Sequence, residues 1–146
     1  PRWQVKQVTP VAPAAIVSLD ETAMREAGLS RMKVAYLKDL AARFHAGELE
    51  PRRWSRMDDE AIVAELVQVK GIGRWSVEMF LIFHLMRPDV LPVGDLGLQR
   101  AMERLYNAGE PLTKDGMRSL AEPWRPWASV ATWYLWRSLD PVPVEY

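Results

Sequence analysis

The sequence has no cysteine and two histidines, His45 and His84, in 146 residues. Without cysteine, disulfides, thiolate metal sites, iron–sulfur clusters and cysteine nucleophiles are excluded. Two histidines also disfavour a histidine-rich metal site. No apolar run is long enough to span a bilayer, and the first residues do not follow the pattern of a signal peptide. With 49% hydrophobic and 26% charged residues, the composition predicts a single globular domain over 1–146.

The chain also has no excess charge of either sign, because 19 basic residues balance 19 acidic ones. A neutral total argues against strongly electrostatic, non-specific binding of nucleic acid, although a local basic patch is compatible with it. Tryptophan, in contrast, is abundant, with seven in the chain. In most proteins tryptophans are core or interface anchors. Four of the seven lie near the C-terminus: Trp124, Trp127, Trp133 and Trp136.

Helical periodicity separated by short breaks predicts an all-α fold. No strand of period two appears, and residues 1–13 and the segment 51–56, which is rich in arginine, are expected to be irregular. Capping residues and apolar stripes predict the helices: 20–27, 30–47, one that starts at Asp58 or Asp59 and ends near Val69, 74–86, 96–106, 113–123, and one that Pro126 opens and that ends near Leu139.

The segment "VKGIGR" between two of these helices has the pattern of a helix-hairpin-helix. Gly71 and Gly73 permit positive φ angles and close approach, and the amides that follow favour an anion. Side chains beside the turn are candidate contacts to a DNA phosphate: Lys70, Arg74 and Ser76. Backbone carbonyls of Val67, Val69 and Ile72 are candidate ligands for a monovalent cation, Na+ or K+. A Gly-x-Gly turn also ends many helix pairs that bind nothing.

Three segments, "VKGIGRWSVEMFLIF", "LPVGDLGLQRA" and "WRPWASVATWYLW", resemble the helix-hairpin-helix DNA glycosylase superfamily, in its branch of bacterial 3-methyladenine DNA glycosylase II. The resemblance extends from about Thr9 to Leu139, and its most specific part is 66–102. It implies that fold without its N-terminal helices. It also implies a monomer that excises alkylated purines from duplex DNA in the bacterial nucleoid, with no membrane and no iron–sulfur cluster.

Asp95 has two compatible interpretations. An aspartate before "LGLQRAM" is a good helix N-cap, and most such residues do nothing else. The resemblance implies that Asp95 is catalytic. Amide hydrogen bonds and the helix dipole would keep it ionised, as cleavage through a sugar cation requires. Whether Asp95 activates water or stabilises the cation is left open by the sequence.

The resemblance also implies that Trp75 and Trp136 line a base pocket, together with Met79, which departs from the tyrosine that relatives can have at that position. Indole rings attract a cationic alkylated purine by stacking and cation–π forces. Relatives that nick DNA carry a lysine nucleophile where this chain has Trp75, so the resemblance implies no lyase step. On the last helix, a face with Trp127, Val130 and Tyr134 is expected to be core, and Trp136 to line the pocket.

His84 is expected to be a buried core histidine, and His45 to lie at a helix C-terminus. A bare DNA-binding helix-hairpin-helix module, in which Asp95 is only a cap, is the alternative function, and a helical protein-interaction domain is a weaker one. Among 3-methyladenine, 7-methylguanine, ethenoadenine and hypoxanthine, the sequence indicates no preferred lesion. The resemblance implies a chain without the early helices of the family, and an apolar patch is then expected to be exposed.

Overall fold

The computed structural model describes residues 12–140, and every regular element in that range is helical. The predicted all-α fold is therefore confirmed. In chain order the elements are α1 (Pro13–Ser18), α2 (Glu21–Glu26), α3 (Arg31–His45), α4 (Pro51–Trp54), α5 (Asp59–Leu66), α6 (Arg74–Phe83), α7 (Leu96–Tyr106), α8 (Lys114–Ala121), a short 3-10 helix (Glu122–Trp124) and α9 (Ala128–Arg137).

Side-chain caps explain why most of the longer helices begin where they do. Five N-cap residues accept a hydrogen bond from the amide three positions later, which satisfies a donor that the helix itself leaves unpaired. They are Asp20, Ser30, Asp58, Asp95 and Thr113. The starts predicted from Ser30 and Thr113 are confirmed, and the cap of α5 is Asp58 rather than Asp59.

The structure corrects four element boundaries. Pro13 starts α1, and Pro51 starts α4 inside the segment predicted as a loop. Proline suits a first helical position, and α4 buries Trp54, whose Nε1 donates to Glu65 at 3.0 Å. Helix α6 ends at Phe83, three residues early. Helix α9 begins at Ala128, since its first turn closes on the carbonyl of Trp127 rather than on Pro126.

The described residues form two compact units, divided between Ile72 and Gly73. In the first, α1 and α2 both pack on α3. In the second, α7 packs on α9 around a buried cluster: Val93, Leu98, Ala101, Met102, Met117 and Leu135. The single domain over 1–146 stays a prediction. No helix in 12–140 has the length and apolar character that crossing a bilayer requires.

The prediction of which face of α9 packs in the core is wrong. Trp127, Val130 and Tyr134 are 60%, 47% and 66% exposed. The buried face consists mostly of small side chains, which let α9 approach its neighbours closely: Ala128, Ser129, Thr132 and Leu135. An apolar patch is exposed, as expected. It consists of side chains that line one surface pocket: Phe83, Met86, Val130, Trp133 and Tyr134.

The interpretation of His84 as a buried histidine is also wrong. His84 is exposed just beyond the last turn of α6, where its ring stacks on Phe80 with the centroids 4.9 Å apart. Because α6 ends earlier than its apolar run predicts, His84 lies outside the buried part of the helix. His45 is the last residue of α3, as predicted.

Candidate active site

Asp95 occupies the N-cap of α7, as the sequence predicts. Its Oδ1 accepts a hydrogen bond from the Leu98 amide at 2.7 Å, and its own amide donates to the Pro92 carbonyl at 2.8 Å. Val93 and Leu98 on either side belong to the buried cluster of the second unit. The backbone that carries the carboxylate is therefore anchored in packed core before and after it.

Two tryptophans from other helices converge on the same carboxylate. Trp136 on α9 donates from Nε1 to Asp95 Oδ1 at 2.7 Å, and Trp75 on α6 donates from Nε1 to Oδ2 at 2.8 Å. With the Leu98 amide, three N–H groups donate to two oxygens. Indole nitrogens and amide N–H groups can only donate, so this arrangement suits an ionised carboxylate, whose oxygens can only accept.

These hydrogen bonds set the charge state of Asp95. Partial burial raises the pKa of its carboxyl, but hydrogen bonds from the Leu98 amide, the Trp136 and Trp75 indoles and the Gly97 amide outweigh burial. Together they hold the pKa below its usual value of 3.8. Asp95 is therefore an anion at neutral pH, whatever reaction it serves.

Aromatic rings lie next to this anion. Trp75 is 49% exposed at the start of α6. Trp136 is half-buried and stacks on Phe83, with ring centroids 5.9 Å apart and planes at 18°. Met79 is half-buried one turn after Trp75, and Phe83 follows one turn later on the same face of α6. Sequence reasoning missed Phe83, although its spacing of eight residues from Trp75 could have revealed it.

The first half of the glycine turn belongs to the first unit and is held by α3. Asp39 accepts a hydrogen bond from the Lys70 amide at 2.9 Å, which is the main reason that the pKa of Asp39 is lowered. Gly71 has φ +80°, and a Cβ built there would overlap the ring of Tyr36. The turn therefore requires glycine at 71 for both conformation and space, while the Lys70 side chain remains exposed.

The second half of the turn begins α6. Gly73 is the N-cap and has no side chain to accept from the first-turn amides. Arg74 lies 3.6 Å from the buried carboxylate of Glu78, one turn later, which partly neutralises its charge. Ser76 is half-buried. The start of α6 therefore has no side-chain cap from Gly73, and its helix dipole favours an anion.

No described group of three or more His, Asp or Glu side chains could hold a metal ion. This observation does not bear on the backbone carbonyls of Val67, Val69 and Ile72. The Val69 carbonyl accepts the Ile72 amide at 3.1 Å, and a carbonyl oxygen keeps a second lone pair. A cation ligand at Val69 is therefore compatible with the turn.

Comparison with known proteins assigns the chain to a family. The sequence matches the HhH-GPD superfamily of base excision DNA repair proteins over residues 4–126. The chain belongs to that superfamily, which confirms the resemblance and the fold expected from it.

Individual relatives give a narrower comparison. The chain is 35% identical over 127 residues to DNA-3-methyladenine glycosylase 1 of Schizosaccharomyces pombe, covering 86% of this chain and 56% of the relative. The solved structure of that organism's 3-methyladenine DNA glycosylase (Mag1) in complex with abasic DNA aligns with a TM-score of 0.77 at 34% identity, over 91% of this chain and 66% of that one.

A second solved structure, DNA-3-methyladenine glycosidase from Bacillus halodurans, aligns with a TM-score of 0.82 at 34% identity. It covers 88% of this chain and 59% of that one. The chain spans about half the length of the curated relatives it matches, at 45%, 56% and 41%.

Proposed function

We propose that this chain carries the catalytic centre of a monofunctional DNA glycosylase that excises alkylated purines of the 3-methyladenine type. The observation that carries the proposal is the Asp95 carboxylate, held by the indoles of Trp75 and Trp136 at 2.8 and 2.7 Å. A helix cap alone needs the bond to Leu98. Two further indole donors from separate helices fix an anion beside exposed aromatic surface.

The chemistry required is cleavage of the bond between C1′ of the sugar and the purine nitrogen. The bonding electron pair leaves with the base, which is neutral on departure if it was cationic before, and the sugar becomes an oxocarbenium-like cation. Water then adds at C1′ and loses a proton. An anion about 4 Å from the sugar cation contributes about 4 kcal/mol at an effective dielectric near 20, on the order of a thousandfold in rate.

Recognition of the base follows from the aromatic residues around Asp95. We assign the base pocket to Trp75, Met79 and Trp136, with Phe83 stacked behind Trp136. Electron-rich indole faces favour a purine made cationic by alkylation, by about 1–3 kcal/mol for each aromatic contact. Met79 packs on rings but offers no hydroxyl to a base. Discrimination in this pocket therefore depends on stacking and charge.

The absence of a lyase step is part of the proposal. The position directly after Arg74 is Trp75, whose indole forms no Schiff base with an opened sugar. Its N–H is committed to Asp95 at 2.8 Å. The product would then be an intact strand with an abasic site.

Duplex DNA would bind at the glycine turn. We assign phosphate contacts to Lys70 and to five residues of the turn and the start of α6: Gly71, Ile72, Gly73, Arg74 and Ser76. The exposed Lys70 and the uncapped start of α6 support this. The carbonyls of Val67, Val69 and Ile72 would hold a Na+ or K+ that neutralises the phosphate, and the enzyme would act as a monomer on cytoplasmic DNA.

The test is single-turnover release of bases from duplex DNA that carries methylated purines, with and without alkali afterwards. We expect free methylpurine, strand breaks after alkali alone, and no covalent complex when borohydride is added during the reaction. Breaks without alkali, together with a trapped complex, would contradict the monofunctional assignment. Salt-sensitive binding without release would instead support the DNA-binding module.

A further inference from the structure

Gly97, the second residue of α7, lies against both partners of the Trp136–Asp95 hydrogen bond. A Cβ built on Gly97 would lie 3.1 Å from Asp95 Oδ1, 3.2 Å from Trp136 Cδ1 and 3.4 Å from Trp136 Nε1. Contacts this short require the neighbouring atoms to shift by a few tenths of an ångström. The indole edge therefore occupies space that any other residue at 97 would fill.

Backbone conformation does not explain this glycine. Among the described glycines, positive φ angles occur at Gly28, Gly47, Gly71 and Gly109, and Gly97 is not among them. Within a helix, glycine is generally less favourable than alanine. The residue at 97 thus costs helix stability, and what it provides is space for the indole.

None of the three atoms nearest to a Cβ at 97 belongs to Trp75, the second tryptophan donor. Trp75 donates to Oδ2, the other carboxylate oxygen, at 2.8 Å. Oδ1 takes the Leu98 amide and the Trp136 indole, both at 2.7 Å. Phe83 stacks on the Trp136 ring and restrains its plane. A side chain at 97 would therefore act on one of the two indole bonds and leave the other in place.

We propose that Gly97 is a positioning residue: by lacking a side chain, it lets the Trp136 indole reach across the first turn of α7 and donate to Asp95 Oδ1. The consequence for catalysis rests on the proposed function of Asp95. The geometric part, which concerns the hydrogen bond alone, holds for the protein without substrate.

Gly97→Ala tests the geometry directly. In the NMR spectrum of the indole N–H groups, the Trp136 signal is assigned by its loss in Trp136→Phe. We expect Gly97→Ala to move that signal upfield, as a weaker hydrogen bond does, and to leave the signal of Trp127 in place. Gly94→Ala is the matched control, because a Cβ at 94 meets no described residue within 4 Å apart from its two neighbours in the chain. An unmoved Trp136 signal in Gly97→Ala would overturn the proposal.

The effect on the reaction is measured in the same variants. We expect Gly97→Ala to slow single-turnover base release about tenfold, from weakening one charge-assisted hydrogen bond, with binding of abasic DNA unchanged. Because Trp136 helps to lower the pKa of Asp95, the acid limb of the pH–rate profile should move to higher pH. A profile identical to that of wild type would count against the role of Gly97.

A double-mutant cycle shows whether Gly97 acts through Trp136. In the Trp136→Phe background position 136 has no N–H to donate to Asp95 Oδ1, so adding Gly97→Ala should cost little further rate or stability. This comparison stays informative if Gly97→Ala alone folds poorly, since the double variant should then recover. Equal losses in both backgrounds would overturn the proposal. If wild type releases no base, the proposed function fails while the NMR test of the geometry still stands.

Discussion

Two glycines in this chain each allow an aromatic ring to come close to the backbone, yet they do so in different ways. Gly71 has φ +80° and faces the ring of Tyr36, which would overlap any Cβ there. Gly97 has an ordinary helical backbone, and its tightest contacts, at 3.1–3.2 Å, are to Asp95 and Trp136. The first glycine is required by conformation and space, and the second by space alone.

This difference separates the two regions by what they control. At the glycine turn, a substitution acts on the fold of the turn and on the proposed contacts to DNA. At the aspartate centre, a substitution acts on the charge and orientation of one carboxylate while the helices remain packed. We therefore expect variants of the turn to change stability and binding, and variants of the centre to change the rate of chemistry.

The largest effect on stability is expected from Gly71→Ala. Strain at positive φ costs about 1 kcal/mol or more, and overpacking against Tyr36 costs about 1–3 kcal/mol in addition. Gly47→Ala is the matched control, because Gly47 has φ +74° and open space around its Cβ position. Denaturant unfolding should show a loss of about 3 kcal/mol for Gly71→Ala and about 1 kcal/mol for Gly47→Ala. Equal losses would remove the contrast between the two kinds of glycine.

At the aspartate centre, Trp75→Phe should reduce base release while the fold persists. The substitution keeps an aromatic ring but removes the N–H that donates to Asp95 Oδ2 at 2.8 Å. Loss of a hydrogen bond to a charged group predicts a rate about tenfold lower. Trp127→Phe, at a tryptophan that is 60% exposed, should leave the rate unchanged. A full rate in Trp75→Phe would mean that the indole bond has no part in the reaction.

A smaller effect is expected for Lys70→Ala. Removing one phosphate contact should weaken binding to all DNA sequences alike and reduce the salt dependence of log K by about one unit of slope. Lys114→Ala, at another exposed lysine, is the control. Base release at saturating DNA concentration should stay at the wild-type rate. If Lys70→Ala instead lowered the rate of base release at saturating DNA concentration, the turn would affect the reaction as well as DNA binding, and the two regions would not act separately.

The pH dependence should show almost no change over the range in which an ordinary carboxyl begins to titrate. The pKa of Asp95 is lowered below 3.8, so the carboxylate's contributions to rate and stability are fully present above that value. They are lost as pH falls through the lower folded-state pKa. Single-turnover rates should therefore stay level from about pH 7 to about pH 5. A decline across that interval would indicate a higher pKa and a weaker set of donors.

Much of the fold was predictable, because caps and periodicity are local. Asp95, Ser30 and Thr113 each mark the start of a helix in the sequence and in the structure. The expected core face of α9 was wrong because hydrophobicity alone favoured its large rings. Packing instead used the small face with Ala128 and Thr132.

The candidate site was predictable in its members and not in its connections. The resemblance indicated Asp95, Trp75 and Trp136. That both indoles donate to the one carboxylate depends on how α6, α7 and α9 meet, which no local pattern encodes. Gly97 was missed for the same reason, since its contacts are with a residue 39 positions later in the chain.

The most direct test of the central claim is the single-turnover rate of base release in Asp95→Asn. Asparagine is as good an N-cap as aspartate, so the amide of Leu98 keeps its acceptor while the negative charge is removed. We predict a rate lower on the order of a thousandfold, with the fold retained and the affinity for abasic DNA close to that of wild type. A rate within about tenfold of wild type would contradict the claim, because Asp95 would then be a helix cap and not the catalytic anion.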